Sequence, residues 1–307
     1  MKSDLVKTMY VFIQMLMLIA ISVCNAENQK TSPKDILSLD YYLSMANDKR
    51  SYSDIALVNL LCAKGLPGAE NIEVEKSLST LKQWAQLATL ETEKRLPDFQ
   101  ANPHRFYDSE GYFRTLVLVT FLSRTLGIRY NPALINTPSI EDMKSTAFFR
   151  NSEDIFIHGL LQKQQGTCSS IPVLLVSVGR LMGYQLRLVM AKGHQFARWQ
   201  DGKEWFNIEY NGNSLKCHPD DYYMKWPFEI SKAELEPGYF LKSLSPTEEF
   251  ASFLETRANC LLENKRVDEA LTAFRQAYSL YPNHPYLKGY IDYLTNNRQR
   301  IKAEVDK

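Results

Sequence analysis

Cysteine is scarce in this chain, 5 among 307 residues, and no two stand as a CxxC pair or at metal-ligand spacing. That excludes a zinc ribbon and a disulfide-dense scaffold, and neither a metal nor a cofactor is expected. An excess of either charge is also missing. The 36 Lys and Arg face 35 Asp and Glu, for a formal net charge of +1, and nothing points to a nucleic-acid partner. Long apolar runs are missing too. The stretch from Met9 to Val23 is short for a membrane span and is interrupted by Gln14.

That stretch, preceded by Lys2 and Lys7 and followed by the small cleavage-type residues Cys24-Asn25-Ala26, predicts a signal peptide over residues 1–26 and an exported, periplasmic or secreted protein. Left uncleaved, it would anchor the chain to the membrane, the one setting in which a membrane partner is expected. A lipoprotein signal through Cys24 would place Val23 where Gly, Ala or Ser is preferred. Losing Lys2, Lys7 and Asp4 with the leader leaves basic and acidic residues equal in number.

Residues 27–150 are expected to form a mainly helical N-terminal half. Ser53 is placed to cap a helix ending at Gly65, and Leu78, Leu81, Trp84 and Leu87 mark a longer helix stopped by Pro97. A third runs from about Tyr112 to Leu126 and halts at Gly127. These aromatic and leucine stripes are assigned to core packing. Ser139-x-x-Asp142 predicts a further short helix, and Phe156 to Lys163 a helix or turn.

Chemistry concentrates in residues 151–244. After Cys168 the apolar residues Ile171, Leu174, Leu175, Val178, Leu181 and Met182 recur at helical spacing up to Gly183. Cys168 then belongs to the first turn of a helix, with Thr167 as cap, where free N–H groups and the helix dipole favour a thiolate. An alternating strand through Leu186, Leu188 and Met190 leads to a hairpin whose arms flank Gln200-Asp201-Gly202-Lys203. With Asp201-Gly202 as a two-residue turn, His194 falls across from Glu209, Phe196 across from Asn207 and Arg198 across from Trp205. Ala197, Trp199, Phe206 and Ile208 form the opposite, core face. Nucleophile, base and orienting carboxylate are thus all available in Cys168, His194 and Glu209. Asn207 is the alternative third member. His158 is assigned a supporting or structural role. Asp220-Asp221-Tyr222-Tyr223 to Trp226-Pro227 either lines a cleft or straps the sheet.

Gly166-Thr167-Cys168 opening a helix, followed by a strand, Gly193-His194 and a Trp205-to-Glu209 strand, resembles the transglutaminase-like superfamily of papain-type folds. The run from His158-Gly159-Leu160-Leu161 through Phe206-Asn207-Ile208-Glu209 is similar to a bacterial branch that joins such a core to C-terminal tetratricopeptide-like helices. The resemblance implies an α+β papain-like, transglutaminase-like core with an antiparallel sheet. It also implies Cys168 as nucleophile, His194 as base and Glu209 as third member. The superfamily more usually carries aspartate at that third position, and an aromatic in place of Ser169. Its chemistry would be cysteine-dependent acyl transfer, or amide or peptide hydrolysis, on a protein or peptide substrate. The alternative is a catalytically inactive scaffold or protein-binding module.

Residues 245–307 open on Ser245-Pro246-Thr247-Glu248, a capping box with proline at the first helical position. Ala258, Ala270, Phe274, Ala277 and Pro282 are spaced as in one tetratricopeptide repeat, with a further helix from Tyr286 to Lys302. A single repeat cannot bury its own face, so the extension is expected to brace the core or hold a protein partner.

Overall fold

The computed structural model describes residues 37–45, 54–134, 146–210 and 214–305. The segment read as a signal peptide and the Ser139–Asp142 helix lie outside them. The chain divides into two units, Met1–Tyr41 and Tyr42–Lys307, and the sheet, the candidate site and the long helices belong to the second. Its class is α+β.

At its centre runs α1, Ile55–Ala63, with every residue buried. It touches the long helix α2 (Val74–Ala101), the helix α4 (Ile157–Lys163), α5 (Ile171–Leu181) and, from the C-terminal region, α6 (Pro246–Glu263). The cap of α1 is Asp54, whose carboxylate accepts from the N–H groups of Ala56 and Leu57. The expected cap, Ser53, lies outside the described residues. Asn59 in the middle of α1 accepts from the Ile157 N–H at 3.1 Å and so ties down the start of α4.

Two expectations for the helical half need correction. Pro97 does not stop α2, which continues to Ala101. The proline lies near the C-terminal end, and the turn beyond it packs: Phe99 stacks on Phe113 at 5.2 Å and meets Phe106 edge-on at 5.9 Å. The third helix, α3, begins at Glu110 under a Ser109 cap and is regular only to Thr120. Phe121–Thr125 then forms a π-helical turn, and Gly127, at φ +71°, ends the run as expected.

Two short strands pair in parallel, β1 (Arg129–Tyr130) with β2 (Gln165–Gly166). The main sheet is antiparallel with the order β3 (Leu186–Ala191), β4 (His194–Gln200), β5 (Trp205–Tyr210) and β6 (Leu215–Lys216). Helix α5 packs against β3, β4 and β5. Both faces of β4 are buried, the side carrying Ala197 and Trp199 and also the side carrying Phe196 and Arg198. The second cover is a cluster in which Phe196 and Val189 meet Tyr223, Ile230, Tyr239 and Phe240, together with Ala251 of α6 and Tyr281.

The register of the hairpin differs from the expected one. Arg198 pairs with Asn207 and Gln200 with Trp205, a slide of two residues from the predicted partners. Asp201 and Gly202 do not form a two-residue turn, because only Gly202 has positive φ, at +87°. The loop has four residues instead, and the Asp201 carboxylate accepts from the N–H groups of Lys203 and Glu204 at 2.9 and 3.0 Å. A slide of two preserves which side chains share a face.

At the C-terminal end Ser245 and Glu248 cap each other's backbone N–H groups with Pro246 at the first turn. Helix α6 packs on α7 (Val267–Leu280), and α7 on α8 (Leu287–Val305). Ala258, Ala270, Phe274 and Ala277 are all buried. The helices are fastened to the rest of the second unit by polar contacts. Arg180 of α5 makes a two-pronged pair with the buried Glu249 at 2.6 and 2.8 Å, and Arg257 donates to the carbonyls of Cys62 and Lys64 at 2.8 and 2.9 Å.

Candidate active site

Cys168 stands one turn ahead of α5. The Ile171 N–H bonds to the Thr167 carbonyl at 3.0 Å, so helical bonding begins there, but Pro172 has no N–H to continue it and the regular helix starts only at Ile171. The N-cap position is Ser170 rather than the expected Thr167, and Cys168 precedes the first turn. Thr167 instead organises the approach, its hydroxyl accepting from the Ser169 N–H at 3.2 Å and donating to the Asp154 carbonyl at 2.8 Å. Cys168 is half-buried, and all four described cysteines are free thiols.

His194 opens β4 behind Gly193, whose φ of +76° and whose closeness to Phe228, 2.7 Å from where a Cβ would stand, admit no larger residue. The imidazole is buried, stacked near Tyr223 and met edge-on by Trp226 at 4.7 Å. Its Nε2 lies 2.9 Å from Oε2 of Glu209. In the observed register Glu209 sits diagonal to His194 rather than across from it, a gap that a glutamate side chain can span. The same carboxylate oxygen accepts from the Tyr223 hydroxyl at 3.1 Å. The ring's other nitrogen, Nδ1, is not taken by Glu209, and the electrostatics of His194 and Cys168 are coupled: each shifts the other's protonation toward the charged form.

Asn207, the alternative third member, is turned elsewhere. Its amide bonds to Arg198, to Asp220 at 2.8 Å and to the His218 carbonyl, and Arg198 bonds Asp220 in turn. This network anchors the short helix Asp220–Tyr223. The aromatic segment is therefore a strap over the sheet, and the same strap walls the histidine through Tyr223 and Trp226. His158 is buried, with Nε2 3.2 Å from the Gly68 carbonyl, and it supports a loop rather than the site.

Electrostatics favour an ion pair. Burial by itself would push the Cys168 thiol up, but the hydrogen bond and charge of His194, with a hydrogen bond from Tyr130, outweigh it and hold the thiol below its ordinary value. Burial likewise disfavours the imidazolium, and the hydrogen bonds and charges of Cys168 and Glu209 overcome this and raise His194 to about 10. The other thiols go the opposite way: burial raises Cys62, and raises Cys217 and Cys260 each to about 11. These shifts together favour a thiolate–imidazolium pair between the lowered thiol value and about pH 10. Below this window the thiolate takes up a proton; above it the imidazolium loses one.

Sequence reasoning passed over one member of this site. The Tyr130 hydroxyl accepts from the Cys168 N–H at 3.0 Å. Tyr130 comes 38 positions before Cys168, and only the parallel pairing of β1 with β2 brings them together. Among the described residues no group of three His, Cys, Asp or Glu side chains could hold a metal, and no helix is long and apolar enough to cross a membrane.

No family model matches this chain. Over 144 residues it is 24% identical to a UPF0162 protein of Buchnera aphidicola subsp. Acyrthosiphon pisum, covering 46% of this chain and 53% of the relative. A UPF0162 protein of Buchnera aphidicola subsp. Schizaphis graminum aligns with the same identity and coverage. The chain thus spans about half the length of the curated relatives it matches. Among solved structures it is similar to menin, in a crystal structure described as revealing the binding site for the Mixed Lineage Leukemia protein. That similarity has 10% identity and a TM-score of 0.34, covers 87% of this chain and 68% of menin, and carries no weight for function.

Proposed function

We propose that this protein is an exported cysteine-dependent acyl-transfer enzyme with a papain-like, transglutaminase-like core and a tetratricopeptide-like C-terminal brace. The observation that carries this reading is the Glu209–His194 hydrogen bond at 2.9 Å, set beside a Cys168 thiol that His194 holds below its ordinary value. Each group has a role that its surroundings suit. The Cys168 thiolate adds to a carbonyl carbon, and the His194 imidazolium protonates the leaving group as the thioester forms. Glu209 orients the ring and stabilises its charge. Water then hydrolyses the thioester, or an amine takes the acyl group. A protein or peptide amide is the substrate class that this chemistry serves.

The test uses p-nitrophenyl acetate and the full chain. Acetylation of the Cys168 peptide, read by mass spectrometry after an acid quench, is expected in the native protein and absent from Cys168→Ala. Faster release of the acyl group on adding a primary amine would identify transfer, and release at an unchanged rate would identify hydrolysis. If the native protein gains no acetyl group at Cys168, the binding-module alternative is the better one.

A further inference from the structure

An attacking thiolate needs hydrogen-bond donors where the carbonyl oxygen becomes an anion. The backbone N–H of the nucleophile is well placed for this, but that of Cys168 is already engaged by the Tyr130 hydroxyl at 3.0 Å. That bond sets the hydroxyl beside the Cys168 side chain, whose thiol Tyr130 helps to hold below its ordinary value. Since the phenol oxygen accepts from the N–H, its own proton is free to point at the sulfur. An oxygen seated on this N–H, with a proton directed at the reacting centre, occupies the place an oxyanion would take.

Tyr130 does not arrive there on a loose segment. It pairs with Gly166, two residues before the nucleophile. Arg129 donates to the Gln164 carbonyl at 3.0 Å and Asn131 to the Gly166 carbonyl at 2.8 Å, so backbone bonds flank it on both sides. The Tyr210 hydroxyl fixes the approach to β1 by donating to the Ile128 carbonyl at 2.7 Å. The anchoring fixes the backbone, so the hydroxyl can come off the Cys168 N–H only by side-chain rotation and stays within reach of an oxygen that replaces it there.

We propose that Tyr130 is a catalytic residue whose hydroxyl holds the oxyanion position in the resting site and donates a hydrogen bond to the carbonyl oxygen once an acyl group adds to Cys168. The proposal rests on the acyl-transfer reading of this site. In the step, a sulfur lone pair forms the S–C bond and the carbonyl π pair moves onto oxygen, which accepts from the Cys168 N–H and the Tyr130 O–H. The returning pair rebuilds C=O, the bond to the leaving group breaks, and that group departs as an anion or with the His194 proton. Tyr130 keeps its proton throughout. Burial foremost, and then the negative charge of Cys168, raise its pKa and keep the phenol neutral.

Two reagents separate this role from a structural one. Iodoacetamide alkylates sulfur by displacement at a CH2 group and forms no oxyanion; p-nitrophenyl acetate acylates through one. At pH 9, Tyr130→Phe is expected to be alkylated at Cys168 within about twofold of the native rate but acylated roughly 100- to 1,000-fold more slowly, the loss typical of one oxyanion donor. Equal acylation rates would overturn the proposal, and faster acylation would show that the hydroxyl is a plug. Should Tyr130→Phe also lose alkylation, the isosteric replacement of Tyr130 by trifluorotyrosine, which ionises at lower pH, decides the matter. Acylation should then fail at a lower pH than in the native protein while alkylation persists, and coincident acylation profiles would count against Tyr130. A native protein that is not acylated at all, by contrast, defeats the acyl-transfer reading and with it this proposal.

Discussion

Replacing His194 by alanine is expected to slow alkylation of Cys168 at pH 6 by about 100-fold. In the native site burial opposes the thiolate, and the imidazolium is the main cation that outweighs it. Without that cation the thiol returns to at least its ordinary value of about 8.5, leaving well under 1% ionised at pH 6. Acyl transfer should fall further, since proton delivery to the leaving group is also lost, an effect of roughly 10²–10⁴-fold. Glu209→Gln keeps an acceptor for Nε2 but removes the charge, so its loss should lie between those of the native protein and His194→Ala. Rates of peptide-resolved alkylation at fixed pH measure all three. If His194→Ala labels as fast as the native protein at pH 6, the imidazolium does not stabilise the Cys168 thiolate.

Arg180→Ala is expected to destabilise the fold by about 3–5 kcal/mol, the usual cost of stranding a buried charge. Glu249 is 1% exposed, and its carboxylate oxygens rest on the Arg180 guanidinium at 2.6 and 2.8 Å. This pair joins α5, the helix behind the nucleophile, to the first C-terminal helix, α6. Burial already raises Glu249 above its ordinary value in spite of Arg180. With the folded value above the unfolded one, the fold loses stability as pH rises through the interval between them. The variant should therefore lose more at pH 8 than at pH 5, where protonation of Glu249 removes the unpaired charge. Replacing both residues with apolar ones of similar size should recover much of the loss. Urea midpoints at the two pH values test this, and an Arg180→Ala protein as stable as the native one would show that the C-terminal helices do not depend on this link.

Much of this arrangement was legible wherever one short segment carries its own cause. The Ser245 capping box, the glycine ends at Gly127 and Gly183, and the assignment of His194, Asn207 and Glu209 to one face of the hairpin all follow from local chemistry and periodicity. Differences arose where a distant partner, or a second local interaction that competes with the first, decided the outcome. Pro97 should end a helix on local grounds, yet the Phe99, Phe106 and Phe113 cluster holds the turn after it. Asp201-Gly202 favours a two-residue turn, but the Asp201 carboxylate stabilises four and shifts the register by two. Tyr130 left no local signal, since it sits beside the nucleophile only through the pairing of two two-residue strands. An aromatic a few residues after a helix-ending glycine and ahead of a Gly-x-Cys turn would be the pattern to look for.

The central claim is that Cys168 is a thiolate paired with imidazolium, and the pH dependence of its alkylation in the native full chain tests it most directly. Cys62, Cys217 and Cys260 act as controls in the same digest, all three raised by burial. Cys168 should react with iodoacetamide from mildly acidic pH upward, well over 10-fold faster than the controls at pH 6, with a midpoint below the ordinary thiol value. A midpoint at or above about 8.5, with Cys168 labelling no faster than the controls at pH 6, would contradict the account.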